Sequence, residues 1–191
     1  MNFKKEGSLV IGLSGGIASG KSTALKTFER LGCEVICSDI LAAQNFNLLK
    51  DRIENHFNTT DKAQIAQKIF KNAQDKKWLE TLLHPLVLQE AKTKIKQSTK
   101  KIIVFDIPLL FECGLEESFD FTLCIYADFD IRLKRAIFQR KMTKEDFINR
   151  DKAQMLLEEK AQRANFVIFN NSNKKDLEEK IEKLFLILNN K

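Results

Sequence analysis

The stretch Gly15-Gly16-Ile17-Ala18-Ser19-Gly20-Lys21-Ser22 constrains this chain more than any other. It follows a short apolar run, Ser8–Leu13, and precedes a segment with Leu25, Phe28 and Leu31 at helical spacing. The pattern GxxxxGK[ST] thus falls between a strand and a helix, the context in which it carries chemistry. Glycines there permit a tight turn whose successive N–H groups point inward and form a nest for an anion. The helix that follows adds its positive N-terminal end. Lys21 brings a full charge to the β- and γ-phosphates of a nucleotide, and the Ser22 hydroxyl suits Mg²⁺. Thr23 can reach the α-phosphate. Gly16, Ile17, Ala18, Ser19, Gly20, Lys21, Ser22 and Thr23 are therefore the candidate nucleotide-binding residues. A turn that merely packs a helix on a strand has no need of Lys-Ser at this offset.

Four more short apolar runs follow: Cys33–Cys37 (CEVIC), Ile102–Asp106 (IIVFD), Phe121–Tyr126 (FTLCIY) and Phe166–Phe169 (FVIF). Longer segments of helical character separate them. Strands this short and this continuously apolar belong to a parallel sheet covered on both faces, joined by right-handed crossovers. The segment from 40 to about 98 is too long for a simple crossover and reads as a helical subdomain, with polar linkers near 58–62 and a break at His84-Pro85. Residues 128–161 read as helical and strongly charged, and 173–188 as a closing amphipathic helix.

Ligands of such sheets bind beyond the carboxyl ends of the strands. That rule singles out Asp39, just after CEVIC, and Asp106, which ends IIVFD. One could orient or deprotonate a hydroxyl acceptor and the other could hold the water shell of Mg²⁺. The alternative for each is a helix N-cap. The residues alone do not say which is the base. A basic cluster, Arg132, Lys134, Arg135, Arg140, Lys141 and Lys144, runs between 131 and 144 without an acidic residue. It reads either as a solvated helix face or, after such a loop, as a lid that brings charge to a triphosphate.

Composition narrows the field. Thirty-two basic against 26 acidic residues give a net charge of +6, which suits small phosphorylated molecules, nucleic acid or anionic surfaces alike. Phe138 alone interleaves the basic cluster with an aromatic, against a nucleic-acid module. No apolar run approaches the ~18 residues of a membrane span, and the N-terminus lacks the sustained apolar region of a signal peptide. Cys33, Cys37, Cys113 and Cys124 form no CxxC pair and read as reduced thiols of a cytoplasmic protein.

Taken together the motifs resemble the dephospho-CoA kinase family. Gly12–Thr23 (GLSGGIASGKST) is similar to the family's GLTGGIGSGKST, and Leu31–Asp39 to its LGxxVIDAD. HPLV is present as His84–Val87 and DIPLLFE as Asp106–Glu112. Gln154 through Asn170 is similar to QxxxxxxxxRADFVIDN. The resemblance spans nearly the whole chain, in order. It implies an α/β fold, a P-loop NTPase three-layer sandwich with a five-stranded parallel sheet, a helical CoA-binding insert (about 42–98) and a helical lid (about 131–155). It implies transfer of the γ-phosphoryl group of ATP, with Mg²⁺, to the ribose 3′-hydroxyl of dephospho-CoA. By position, Asp39 matches the family's base and Arg140 its lid arginine, with Lys21 the third catalytic residue. Asn170 matches the edge of the adenine site. His84, Asp106, Leu109 and Glu112 match the acceptor side along with Asp39. No nucleic-acid or membrane partner is implied.

Some positions depart from the family pattern. Ala18 replaces a loop glycine, which requires a negative φ there if it is to cost nothing. Cys37 and Asn165 each replace an Asp. Gln44 and Lys62 stand where arginines are usual, and the insert looks short after residue 45. Rival readings are another small-molecule kinase (nucleoside monophosphate, shikimate or gluconate), which leaves HPLV and DIPLLFE unexplained. A GTP switch, the rival of another class, likewise leaves HPLV and DIPLLFE unexplained.

Overall fold

Every strand expected from a short apolar run forms in the computed structural model, which describes residues 1–190. They are β1 (Leu9–Gly15), β2 (Glu34–Cys37), β3 (Ile102–Asp106), β4 (Phe121–Tyr126) and β5 (Phe166–Phe169), in the sheet order β2-β3-β1-β4-β5. β1 lies parallel to β3 on one side and β4 on the other, and β5 continues in parallel beyond β4. The chain divides into two compact units, Met1–Ile36 with the residues from Ile95 on, and Cys37–Lys94.

In the first unit the inner strands β1, β3 and β4 are buried on both faces, as their unbroken apolar runs require, while the edge strands β2 and β5 are partly exposed. α1 (Lys21–Arg30) and α9 (Lys174–Asn189) cover one face. There Phe28, Leu177 and Ile181, all fully buried, join Ile11, Leu13, Val104, Leu123 and Ile125 in one core. Alternate β3 residues turn the other way, where Phe105 meets Phe3 edge-on at 5.4 Å between ring centroids. The charged region after β4 is helical but not continuous. It splits into α6 (Phe129–Arg140), α7 (Lys144–Lys152) and α8 (Leu157–Arg163). Lys141, at φ 53°, ends α6, and the Thr143 hydroxyl starts α7 by accepting from Asp146 N at 3.0 Å. Thr-x-x-Asp is a start signal legible in the sequence.

The second unit is helical: α2 (Ser38–Leu48), α3 (Lys50–Phe57), α4 (Lys62–Lys71) and α5 (Ala73–Gln97), which continues into the first unit. Phe46, Ile53, Phe57, Ile65 and Leu83 form its core. His56 stacks on Trp78 at 3.9 Å and points Nε2 at Asp75 Oδ1, 3.0 Å away, so its ring is spent on packing. The expected break at His84-Pro85 does not occur, for α5 runs straight through Pro85. A proline removes one N–H donor, and its ring crowds the carbonyl a turn earlier. Here residues 81 and 85 are exposed, so water can reach that carbonyl. Leu83, Val87, Ala91 and Ile95, each four residues on, are all buried and hold the helix together.

Asn165, where the related pattern has Asp, shows why either residue serves. Its Oδ1 accepts from Thr122 N at 2.8 Å and Thr122 Oγ1 at 3.0 Å, while Thr122 Oγ1 accepts from Asn165 N at 3.0 Å. Only the oxygen is used. Asn165→Asp keeps that acceptor and is expected to leave stability within about 0.5 kcal/mol. Asn165→Leu strands the buried Thr122 amide and is expected to cost about 1–3 kcal/mol, read as a lower urea midpoint.

Candidate active site

β1 is the central strand, and its last residue begins the loop. Gly15, at φ 150°, has Ile125 O only 2.4 Å from where a Cβ would sit. At the far end Gly20 takes φ 110° and is the N-cap of α1, with Asn170 Nδ2 at 2.3 Å from a Cβ there. Neither position admits a side chain. Between them the expectation for Ala18 is overturned: its φ is +57°, in the left-handed region. An alanine held there costs about 1–2 kcal/mol. Its methyl is buried, packed with Ala136, Phe147, Ile17 and Leu133, and that contact repays part of the strain.

The loop is held from several sides. Asn170 is buried at the end of β5. Its Nδ2 donates to Ser19 O at 2.7 Å and its backbone N–H to Tyr126 O at 2.7 Å. Lys21 Nζ donates to Gly15 O at 3.0 Å and Gly16 O at 3.3 Å, so the ammonium lies across the loop. Thr23 and Ala24 turn back to Gly20 O at 3.0 and 3.1 Å and close the first turn of α1. Behind the loop Cys124 pairs in register with Ser14. Burial pushes its thiol up to about 12, so it is neutral and inert.

Beside the loop opens a cleft of about 350 Å³, within the usual range for small-molecule sites. Its walls come from the start of α1 (Gly20, Ser22, Thr23), the far half of α6 (Arg135, Gln139, Arg140) and the run Asn170–Lys174. Two helix N-termini line it, and the lining carries Arg135, Arg140 and Lys174 with no carboxylate. The site is therefore electropositive throughout. Two buried polar atoms on its walls have no protein partner, Arg135 Nη1 and Asn170 Oδ1. The other Arg135 terminal nitrogen donates to Ser172 O at 2.8 Å, and burial lowers the guanidinium pKa. Sequence reading placed Arg135 only within a basic cluster. No spacing in the sequence separates Arg135 from Lys134 or Lys141; its partial burial against Ser172 does.

The structure thus gathers Ala18, Gly20, Ser22, Thr23, Arg140 and Asn170 around one cleft. Asp106 is buried at the end of β3, opposite Leu13 of β1 in register. A turn follows it and not a helix, so Asp106 is no N-cap. Leu109 is half-buried in that turn. Glu112 accepts from Lys160 Nζ at 2.7 Å and Met155 N at 3.0 Å. Asp39 and His84 belong to the second unit and are exposed. Asp39 is the second residue of α2, whose cap is Cys37, so it is not a cap either. Among the described residues no group of three or more His, Cys, Asp or Glu side chains is placed to hold a metal. Magnesium carried by phosphate oxygens and water needs only a hydroxyl and a carboxylate from the protein, and Ser22 and Asp106 are oxygen donors of that kind.

The family model for dephospho-CoA kinase matches residues 9–176. A dephospho-CoA kinase from Fusobacterium nucleatum is 32% identical over 185 residues, covering 92% of this chain and 96% of its own length. One from Geobacillus kaustophilus is 36% identical, covering 88% and 91%. Among solved structures, TT1252 from Thermus thermophilus superposes with a TM-score of 0.86 at 29% identity over 95% of this chain and 98% of that one. With a glycine loop built for a triphosphate, a basic cleft beside it and relatives matched over almost their whole length, the chain belongs to the dephospho-CoA kinase family.

Proposed function

We propose that this chain uses MgATP to phosphorylate the ribose 3′-hydroxyl of dephospho-CoA, releasing ADP and coenzyme A, with Lys21, Arg140 and Asp39 as its catalytic residues. The observation that carries the reading is the basic cleft contiguous with the Gly15–Thr23 loop. Phosphoryl transfer asks mainly for in-line placement and for neutralisation of charge. The 3′-oxygen attacks the γ-phosphorus while the bond to the β-phosphate oxygen breaks, and negative charge builds on that leaving oxygen. Lys21, already lying over the loop, and Arg140, at the end of α6, neutralise it. Asp39 aligns the acceptor hydroxyl and accepts its proton. Ser22 and Asp106 would hold magnesium, which would supply further charge neutralisation.

Arg135 Nη1 is an open donor and Asn170 Oδ1 an open acceptor. A purine offers the complementary pair, a ring-nitrogen acceptor beside an amino donor, and we assign both residues to the base. The α6–α7 segment, residues 131–155, closes over the phosphates and keeps water from competing for them. The helices of the second unit receive the CoA portion of the acceptor, with His84, Asp106, Leu109 and Glu112 on the acceptor side. Among the described residues no helix is long and apolar enough to cross a membrane. The CoA intermediate and the buried thiols Cys33 and Cys124 favour a cytoplasmic location.

Magnesium-dependent ADP release in the presence of dephospho-CoA, and not shikimate, gluconate or AMP, is the expected result. Turnover with one of those acceptors and none with dephospho-CoA would falsify the assignment. Lys21→Ala is expected to lower kcat about 10²–10³-fold with an unchanged circular dichroism spectrum. Arg140→Ala should act in the same direction on kcat, and a wild-type rate removes it from the mechanism. Asp39→Asn should lower kcat about 10²–10⁴-fold while ATP affinity, measured by calorimetry, stays as it was. Loss of ATP binding alone in that variant assigns Asp39 to the metal instead.

A further inference from the structure

Lys160 is a fully buried lysine, at 0% exposure, in a stretch whose sequence (LEEKAQR) reads as a solvated helix. Its ammonium sits 2.7 Å from Glu112 Oε1 and donates to Pro108 O at 2.9 Å. Pro108 O accepts a second bond, from Ser14 Oγ at 3.0 Å, and Ser14 is the residue before the phosphate loop. Glu112 Oε1 also accepts from Met155 N at 3.0 Å, just before α8. Ile107 N donates to Leu13 O at 2.9 Å, so the turn after β3 is stitched to β1 at its start as well. One cation therefore fixes two points of the Ile107–Glu112 turn, and through a shared carbonyl it ties that turn to the end of β1.

Stability does not ask for this arrangement. Burying an ammonium and a carboxylate costs several kcal/mol per ion, and well-packed apolar residues of similar volume are often as stable or more so. What an ion pair provides in their place is direction: the carboxylate and the carbonyl can each take only one position relative to Nζ. Glu112 Oε2, buried and without a partner, shows that the carboxylate is held for the Lys160 contact and not to satisfy both its oxygens.

We propose that Lys160 is a positioning residue for the acceptor: it sets the Ile107–Glu112 turn against the phosphate loop and so fixes where dephospho-CoA lies relative to the γ-phosphate. This rests on the reading that Asp106–Glu112 forms the acceptor side. Lys160 itself is sealed from solvent and touches no substrate; it acts through Pro108 and Glu112.

The test compares Lys160→Met/Glu112→Gln with Glu112→Gln alone. In the double variant glutamine keeps an acceptor for Met155 N and no buried charge is left unpaired, which protects the fold; in Glu112→Gln alone the Lys160 ammonium loses its carboxylate and keeps Pro108 O, so its Tm is the reference for that loss. The KM for each substrate, kcat and Tm are measured for both. Raising the KM for dephospho-CoA about tenfold above that of Glu112→Gln, with the KM for ATP within about twofold, is the expected result. Lys160→Gln, which can still donate to Pro108 O, should recover part of the loss. Equal KM values in the two proteins, or a parallel rise for both substrates with a lowered Tm, overturns the proposal and leaves Lys160 a structural residue. Leu109→Ala separates the underlying reading from the inference. If it leaves the dephospho-CoA KM unchanged while the Lys160 variants also do, the acceptor side lies elsewhere; if it raises that KM while they do not, only the role of Lys160 falls.

Discussion

A loop that presents its own amides to a polyanion must be rigid without being plugged by side chains, and the first unit is arranged to meet that demand. β1 is central and buried from Val10 to its end, so the residue at which the loop begins cannot drift. Gly15 passes so close to Ile125 O that no Cβ fits, and Gly20 turns the chain into α1 in a conformation other residues adopt only under strain. Asn170, from the far edge of the sheet, closes the loop by holding Ser19 O. β4 and the end of β5, both distant in sequence, thus converge on the short turn between β1 and α1. Its amides, the α1 N-terminus and Lys21 then act together on a phosphate chain, which none of them would bind firmly alone.

Polar atoms behind and beside the loop are handled in two ways. Behind it, Ser14, Pro108, Lys160 and Glu112 bond to one another and tie the Ile107–Glu112 turn to the end of β1. Beside it, Arg135 Nη1 and Asn170 Oδ1 keep capacity that the protein does not fill. A buried polar atom without a partner costs about 1–3 kcal/mol, so atoms left in that condition on the wall of a cleft are kept for a ligand. In both places stability is forgone, for open binding capacity beside the loop and for a fixed direction behind it.

The sheet was legible because strands buried on both faces are written as continuous apolar runs, and Ile102–Asp106, Phe121–Tyr126 and Phe166–Phe169 end in the structure where those runs end. Helix ends were harder. Pro85 reads as a break by local rules, yet the buried series Leu83, Val87, Ala91 and Ile95 outweighs one missing hydrogen bond. Ala18 reads as a residue that wants negative φ, yet the loop imposes +57° on it because the flanking glycines and the contact with Ala136 and Phe147 leave no alternative path. In both, tertiary contacts override a local preference worth a few kcal/mol at most.

By itself the sequence determined the phosphate loop, the parallel sheet and the membership in a kinase family, because those depend on residue types at fixed spacing. Glycine, lysine and serine at set offsets, and unbroken apolar strands, have the same meaning wherever the chain carries them. Tertiary structure alone decided which of the many charged residues matter. Lys160 and Arg135 look in sequence like any of their neighbours, Lys152 or Lys134. One is sealed against Glu112 and Pro108 and the other lines the basic cleft beside the glycine loop. Burial and partners set what a charge does, and both are properties of segments brought together from far apart in the chain.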